Sequence, residues 1–281
     1  MANILSPHKQ AHILSCLVEG VSVRATARIT NTHRTTILNL LRDAGTFAAR
    51  YCDATLRNLT CRRLELDEAW SFVYVKGANK ARATHAPPHA GDVWTWVAFD
   101  PDTKLVPAWL IGDRTARTAI NFLYDLRNRL THRVQVTTDG HKAYIDAADI
   151  VFHQDEIDYA VLKKVYADDE LAIHAETVMG DPALEWISTS GVERQNLTMR
   201  MSMRRFTRKT NGFSKIVRNH AHALALHYLH YNFCRIHQSL RITPAMAAEV
   251  ARHPYNIGWI VSEVAKTRPK PKRPKTYYKL G

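Results

Sequence analysis

Residues 64–75, L-E-L-D-E-A-W-S-F-V-Y-V, read as a buried β-strand carrying one anomaly. Trp, Phe, Tyr and Val favour strands, and the run is too apolar for a surface loop. Asp67 stands among Leu64, Leu66, Trp70, Phe72 and Val73. A carboxylate in such surroundings costs free energy unless it is paired or meets a cation. Two readings stay open on this stretch alone: a strand-end or arginine-paired aspartate, or a ligand. Glu68 is the alternative acid, but strand alternation turns it to the opposite face.

Working outward, the chain has 281 residues, of which 46% are hydrophobic, enough for a real core in one large or two smaller domains. The 39 Lys and Arg against 26 Asp and Glu leave a formal charge of +13, which points to a polyanionic partner, above all nucleic acid. No apolar run is long enough to span a bilayer, and the first ten residues lack the layout of a signal peptide, so a cytoplasmic location and no membrane partner are expected. Cys16, Cys52, Cys61 and Cys234 have no C-x-x-C spacing and read as reduced structural thiols. Neither G-x-G-x-x-G nor G-K-[ST] occurs, which disfavours a nucleotide-driven enzyme.

Upstream of the strand, residues 6–44 predict three short helices. Ser6 and Ser22 suit N-caps, Pro7 suits a first turn, and Gly20 and Gly45 suit stops. The turn Thr30-Asn31-Thr32 leads into a third helix from about His33 to Ala44, with Ile37, Leu40 and Leu41 inward. His33, Arg34, Thr35, Thr36 and Asn39 remain outside, mostly at its N-terminal end. This is the pattern of a helix-turn-helix, whose second helix enters the major groove N-terminus first. A plain three-helix cap is the competing reading. Residues 46–63 read as a connector.

Downstream, 76–92 read as a basic loop, 93–99 and 104–111 as two strands joined by the D-P-D-T turn, and Thr115 as the start of a helix. A fourth strand, 133–138, stops at Asp139-Gly140, a short helix follows, and 159–165 form a fifth strand. Residues 166–189, with Asp168, Asp169 and Glu170, show no clear element. The order β-β-β-α-β-α-β is that of a ribonuclease-H-like α/β fold. A helix then begins near Ser190, and no acid occurs between Glu193 and Glu249. Arg204, Arg205, Arg208 and Lys209 in this run are candidate DNA contacts. A second long helix spans about 214–233; its histidines, His220, His222, His227 and His230, spread around it and read as polar or core residues. Residues 266–279 carry seven Lys or Arg, three Pro and no acid, the composition of a flexible polycation.

Three acids stand out by position: Asp67 inside a strand, Asp139 at the end of another, and Glu193 at the head of a basic helix. The fold makes the first two strands neighbours. Two facing carboxylates raise each other's pKa unless a cation relieves them. Mg2+ takes one or two carboxylates together with phosphate oxygens, and two such ions serve both the attacking and the leaving oxygen of a phosphodiester. Arg200, seven residues after Glu193, shares its helical face and suits a phosphate. Glu193 is the least secure of the three; Asp155, Glu156, Asp158 and the 168–170 cluster are rivals.

The words L-D-E-A-W-S-F-V (66–73), T-T-D-G-H-K-A-Y (137–144) and V-E-R-Q-N-L-T-M-R (192–200) resemble a bacterial DDE transposase, with the insertion-sequence-one family the nearest likeness. Y-N-F-C-R-I-H-Q-S-L-R-I-T-P-A-M-A (231–247) is similar to the C-terminal end of retroviral-integrase-like transposases. The resemblance covers about 64–248. It implies Asp67, Asp139 and Glu193 as a metal-binding triad for two Mg2+ ions, with Mn2+ able to substitute, and Arg200 as the basic residue two turns on. Family members often begin with a cysteine-rich zinc-binding segment, which this sequence lacks. The expected organisation is a helix-turn-helix domain (1–45), a connector (46–63), a ribonuclease-H-like, retroviral-integrase-like catalytic domain (64–250) and a basic tail (251–281). The expected function is Mg2+-dependent cleavage and strand transfer at inverted-repeat ends of an insertion sequence, on double-stranded DNA, as a dimer or larger assembly in a bacterial cytoplasm. The alternatives are a non-catalytic helix-turn-helix regulator and a related nuclease.

Overall fold

The computed structural model describes residues 4–268 other than 168, 169 and 208. Helices α1 (Pro7–Val18) and α2 (Val23–Ile29) start where serine supplies a cap: Ser6 Oγ accepts from the Lys9 amide at 3.3 Å, and Ser22 Oγ from the Ala25 amide at 3.1 Å. After the turn at 30–32, with Asn31 at φ 41°, His33 caps α3 by accepting from the Thr35 amide.

Helix α3 does not stop at Gly45; it runs Arg34–Thr55, through half of the expected connector. The apolar stripe explains this, because Ile37, Leu41, Ala44, Ala48 and Cys52 continue at helical spacing and are all buried. Gly45 is where α3 crosses α7 (Val217–Leu229): a Cβ there would lie 2.4 Å from His222 Cβ. The glycine serves close approach of two helices and does not terminate one.

A six-stranded sheet follows, in the order β3-β2-β1-β4-β5-β6. β1 (Arg63–Val73) pairs antiparallel with β2 (Gly91–Phe99) and parallel with β4 (Val134–Thr138). β4 pairs parallel with β5 (Ile157–Ala167). The turn into β3 is fixed by Asp100, whose carboxylate accepts from the Asp102 amide at 2.8 Å and the Thr103 hydroxyl at 2.7 Å. β3 is shorter than expected, Trp109–Gly112, because the side-chain amide of Asn232 bonds both the N–H and the C=O of Val106 and draws them from the ladder. The 166–189 stretch is not structureless: Glu170–Met179 form β6, antiparallel to β5. His174, Ala175, Glu176 and Thr177 are all exposed, so no apolar alternation marks this strand in the sequence.

Helices α4 (Ala116–Arg127) and α5 (Lys142–Val151) cover one face of the sheet, burying Phe122, Leu126 and Tyr144 with Leu64 and Leu66 in a core continuous with that of α1–α3. α6 (Ser190–Ser202) and α7 cover the other face, where Val192, Met199 and Tyr228 pack with Ala69, Val97 and Phe99. α7 runs on into a π-helical turn, His230–Cys234. A short α8 (Pro244–Ala247) precedes α9 (Ile257–Thr267), which buries Ile260, Val261 and Val264. Eleven residues of the expected tail are therefore a packed helix; 269–281 lie outside the described residues. None of the described helices is long and apolar enough to cross a membrane.

Candidate active site

The site begins with strand register. Leu64 pairs with Val136 and Glu65 with Thr137 across the parallel β1–β4 ladder; continued two residues, the register sets Asp67 beside Asp139. Parallel partners in register point to the same face, with their strands about 4.8 Å apart across the sheet. Asp139 follows the last residue of β4, and its Oδ1 accepts from the His141 amide at 3.1 Å. Gly140 makes the exit possible: it sits at φ +84°, with Val161 Cγ1 2.8 Å from where a Cβ would be.

Asp67 is held on both oxygens. Oδ1 accepts from the Glu68 amide at 2.7 Å, and Oδ2 from Asn196 Nδ2 at 2.7 Å. Burial first, then the neighbouring Glu68 and Asp139 carboxylates, push its pKa up to about 6. Asn196 is buried on α6, and sequence reasoning missed it. The signal was present in V-E-R-Q-N: Asn196 is one helical turn after Glu193, so the two share a face.

Glu68 lies on the opposite face, as alternation requires. Arg114 Nε donates to Glu68 Oε1 at 2.7 Å, and His141 Nδ1 stands 3.7 Å from the same oxygen. Burial raises the Glu68 pKa, the Arg114 bond lowers it, and Asp139 raises it again. Asp139 thus touches the electrostatics of both acids of the Asp67-Glu68 pair. Nothing local in the sequence marks Arg114, because only the folded β3–α4 corner brings it to Glu68.

The first turns of α6 dock on the Asp67 face. The Val192 amide donates to Glu65 Oε2 at 2.8 Å, and Asn196 reaches Asp67. Glu193, between them in sequence, is exposed, and its Oε1 accepts from the Thr189 hydroxyl at 2.9 Å. Among the described residues, no three His, Cys, Asp or Glu side chains are gathered closely enough to hold a metal ion. Asp67 and Asp139 are brought together; Glu193 is on the adjoining helix face without joining them in such a set. Arg200 is in the last turn of α6, half-buried. Asp158 and Glu156, two of the rival acids, are engaged elsewhere: Asp158 with Arg133 at 2.6 Å, Glu156 with Arg127 at 2.5 Å.

Candidate DNA contacts from the start of α3 and from the segment after α6 meet. His33, Arg34 and Thr35 line one cleft of about 760 Å3 together with Arg204, Arg205 and Lys215. Thr36 and Asn39 are outside its lining, half-buried and exposed respectively. Arg204 and Lys209 are exposed. Arg205 is turned to its own loop, donating to Asn219 O at 2.7 Å and Ser214 Oγ at 3.3 Å, and burial pushes its pKa down to about 10. Arg208 lies outside the described residues.

No protein-family model matches the chain. No curated protein matches it. Among solved structures, the chain is similar to the Mos1 mariner paired end complex with Mn at 14% identity and a TM-score of 0.20, over 54% of this chain and 61% of that one, less than two thirds of its length. It is similar to a pre-cleavage Mos1 transpososome at 12% identity and a TM-score of 0.23, over 82% and 80% of the two chains. Superpositions this loose carry no weight for either fold or function, which rest on the sheet and the site themselves.

Proposed function

We propose that the chain is a DNA transposase of the DDE type. The observation that supports this reading is the β1–β4 register, which, continued two residues, brings Asp67 within β1 level with Asp139 just past the end of β4, with a basic helix docked over Asp67. Burial first, then the Glu68 and Asp139 carboxylates, disfavour the ionised form of Asp67, and a divalent cation would stabilise it, so the donor set suits Mg2+ or Mn2+. Asp67 and Asp139 would hold the metal, with Glu193 as the third carboxylate. When bound, the metal supplies activation of an oxygen nucleophile and stabilisation of the leaving oxygen in phosphodiester cleavage.

This chain's own residues do the rest. Asn196 and the Glu68 amide fix the two oxygens of Asp67. Arg200, on the Glu193 face of α6, meets a phosphate of the substrate. α2, the turn and α3 act as a helix-turn-helix, presenting His33, Arg34 and Thr35 to the inverted-repeat end, with Arg204 alongside in the same cleft. The freed 3′-hydroxyl then attacks target DNA, and holding two ends requires at least a dimer. The test is incubation of a labelled element end with Mg2+ and target DNA, reading both cleavage and joined product. Wild type yields both, and Asp139→Asn yields neither while still binding the end. Cleavage retained by Asp139→Asn contradicts the assignment.

A further inference from the structure

Three large aromatics of this protein are used by neither hydrophobic core. Trp70 and Phe72 follow Glu68 on the same face of β1, and Phe213 joins them from the segment after α6. That segment runs beside the end of β1 where β4 has already left: Val73 bridges Ser214, and the Tyr74 amide donates to Ser214 O at 2.8 Å. Phe213 thereby sits 4.9 Å from Phe72, which is 5.8 Å from Trp70, ring centroid to centroid. All three are half-buried. Burying a ring of this size is worth a few kcal/mol to a fold, and here a minor part of each ring stays open to solvent.

The surrounding charge says what covers it. The Lys76 ammonium stands loosely over the rings, 5.9 Å from Trp70 and 6.0 Å from Phe72, on an exposed side chain. It opens the loop that carries exposed Lys80 and Arg82. Across the ladder Trp70 pairs with Trp94, whose ring carries the Arg114 guanidinium at 4.7 Å. Flat rings edged by cations are the elements with which proteins hold single-stranded nucleic acid: bases stack on the rings and phosphates meet the cations. A duplex, with its bases already stacked, offers no free base face to such a surface.

We propose that Trp70, Phe72 and Phe213 form a stacking platform for unpaired DNA bases on the face of β1 opposite Asp67, with Lys76 as its phosphate contact. Trp70 is two residues past Glu68, about 7 Å along the strand, so a strand stacked there runs on the Glu68–Arg114 side of β1, with the sheet between it and Asp67. The choice of DNA rests on the transposase reading; the ring geometry does not.

The test uses the full chain in EDTA, where no cleavage occurs, with a single-stranded oligonucleotide containing 2-aminopurine and its blunt duplex. The single strand binds wild type with quenching of 2-aminopurine, and the duplex binds without it. Trp70→Ala and Phe213→Ala each weaken single-strand binding about tenfold and remove quenching, Trp70→Phe retains most of both, and Lys76→Ala lowers the salt dependence while leaving quenching. Should either alanine variant fail to fold by circular dichroism, Trp70→Leu and Phe213→Leu, which keep bulk without the ring, decide on the same criterion. Folded variants with unchanged affinity and quenching overturn the platform, as does a wild type that does not quench. Stacking without Mg2+-dependent cleavage would overturn the transposase reading alone; cleavage without stacking would overturn the platform alone.

Discussion

Asn196 Nδ2 donates to Asp67 Oδ2 at 2.7 Å, tying the second turn of α6 to the middle of β1. This bond favours the ionised form of Asp67, against burial and two neighbouring acids. Asn196→Ala therefore raises the Asp67 pKa further above about 6 and frees its orientation. The expected outcome is a cleavage rate at pH 7 lower by roughly ten- to a hundredfold, the worth of a hydrogen bond to a charged group. The acidic limb of the pH–rate profile moves to higher pH. A uniform loss at every pH, with the limb unmoved, would make Asn196 merely structural.

The raised pKa of Asp67 also sets a stability trend. Its ordinary value is 3.8 and its folded value about 6, so the folded state favours the neutral acid. That contribution is fully present below pH 4 and is lost as pH rises through about 6. Above pH 6 the metal-free protein carries a destabilisation on the order of 2–3 kcal/mol from this group. Asp67→Asn removes it, and thermal unfolding in EDTA at pH 7.5 should show the variant melting several degrees above wild type. At pH 4 the two should melt together. A variant less stable than wild type at pH 7.5 contradicts the strained-carboxylate account.

Gly45 offers a test in which two effects have opposite signs. In an exposed helix, Gly→Ala stabilises by about 1 kcal/mol. Here the added methyl would lie 2.4 Å from His222 Cβ and 2.5 Å from its Cα. Backbone cannot yield as a side-chain tip does, so Gly45→Ala should destabilise by about 2 kcal/mol or more, measured by urea unfolding. A stabilised variant would mean that α3 and α7 do not cross so closely.

Arg204 and Arg205 are adjacent, yet their substitutions should differ in kind. Arg204 is exposed in the cleft; Arg204→Ala should lower the slope of log affinity against log salt for duplex DNA by about one and leave unfolding unchanged. Arg205 braces Asn219 and Ser214, so Arg205→Ala should lower stability by about 1–3 kcal/mol. Equal salt slopes in the two variants would contradict this division.

Much of this architecture was legible because its signals are local. The Leu64–Val75 run, the caps at Ser6, Ser22 and Thr115, the D-P-D-T turn and the stop at Asp139-Gly140 each depend on a few adjacent residues. What escaped depends on partners distant in sequence. Gly45 reads as a stop until α7 is placed against it. β3 is trimmed by Asn232, 126 residues from Val106. α9 was hidden because the charge of the residues after it dominates the composition, although Ile257, Ile260, Val261 and Val264 have helical spacing. At the site, the Asp67–Asp139 neighbourhood followed from element order. The Asn196 contact and the inward turn of Arg205 depend on how α6 and its following loop seat on the sheet, which spacing does not encode.

The central claim is that Asp67 and Asp139 share a divalent cation. Mn2+ binding followed by electron paramagnetic resonance on the full chain, at pH 7.5 and without DNA, tests it most directly. Wild type should take up Mn2+, Asp67→Asn and Asp139→Asn should each weaken binding by at least tenfold, and Glu68→Gln, on the opposite face, should bind nearly as wild type does. Unchanged Mn2+ binding in Asp67→Asn and Asp139→Asn, or a loss confined to Glu68→Gln, would contradict the account.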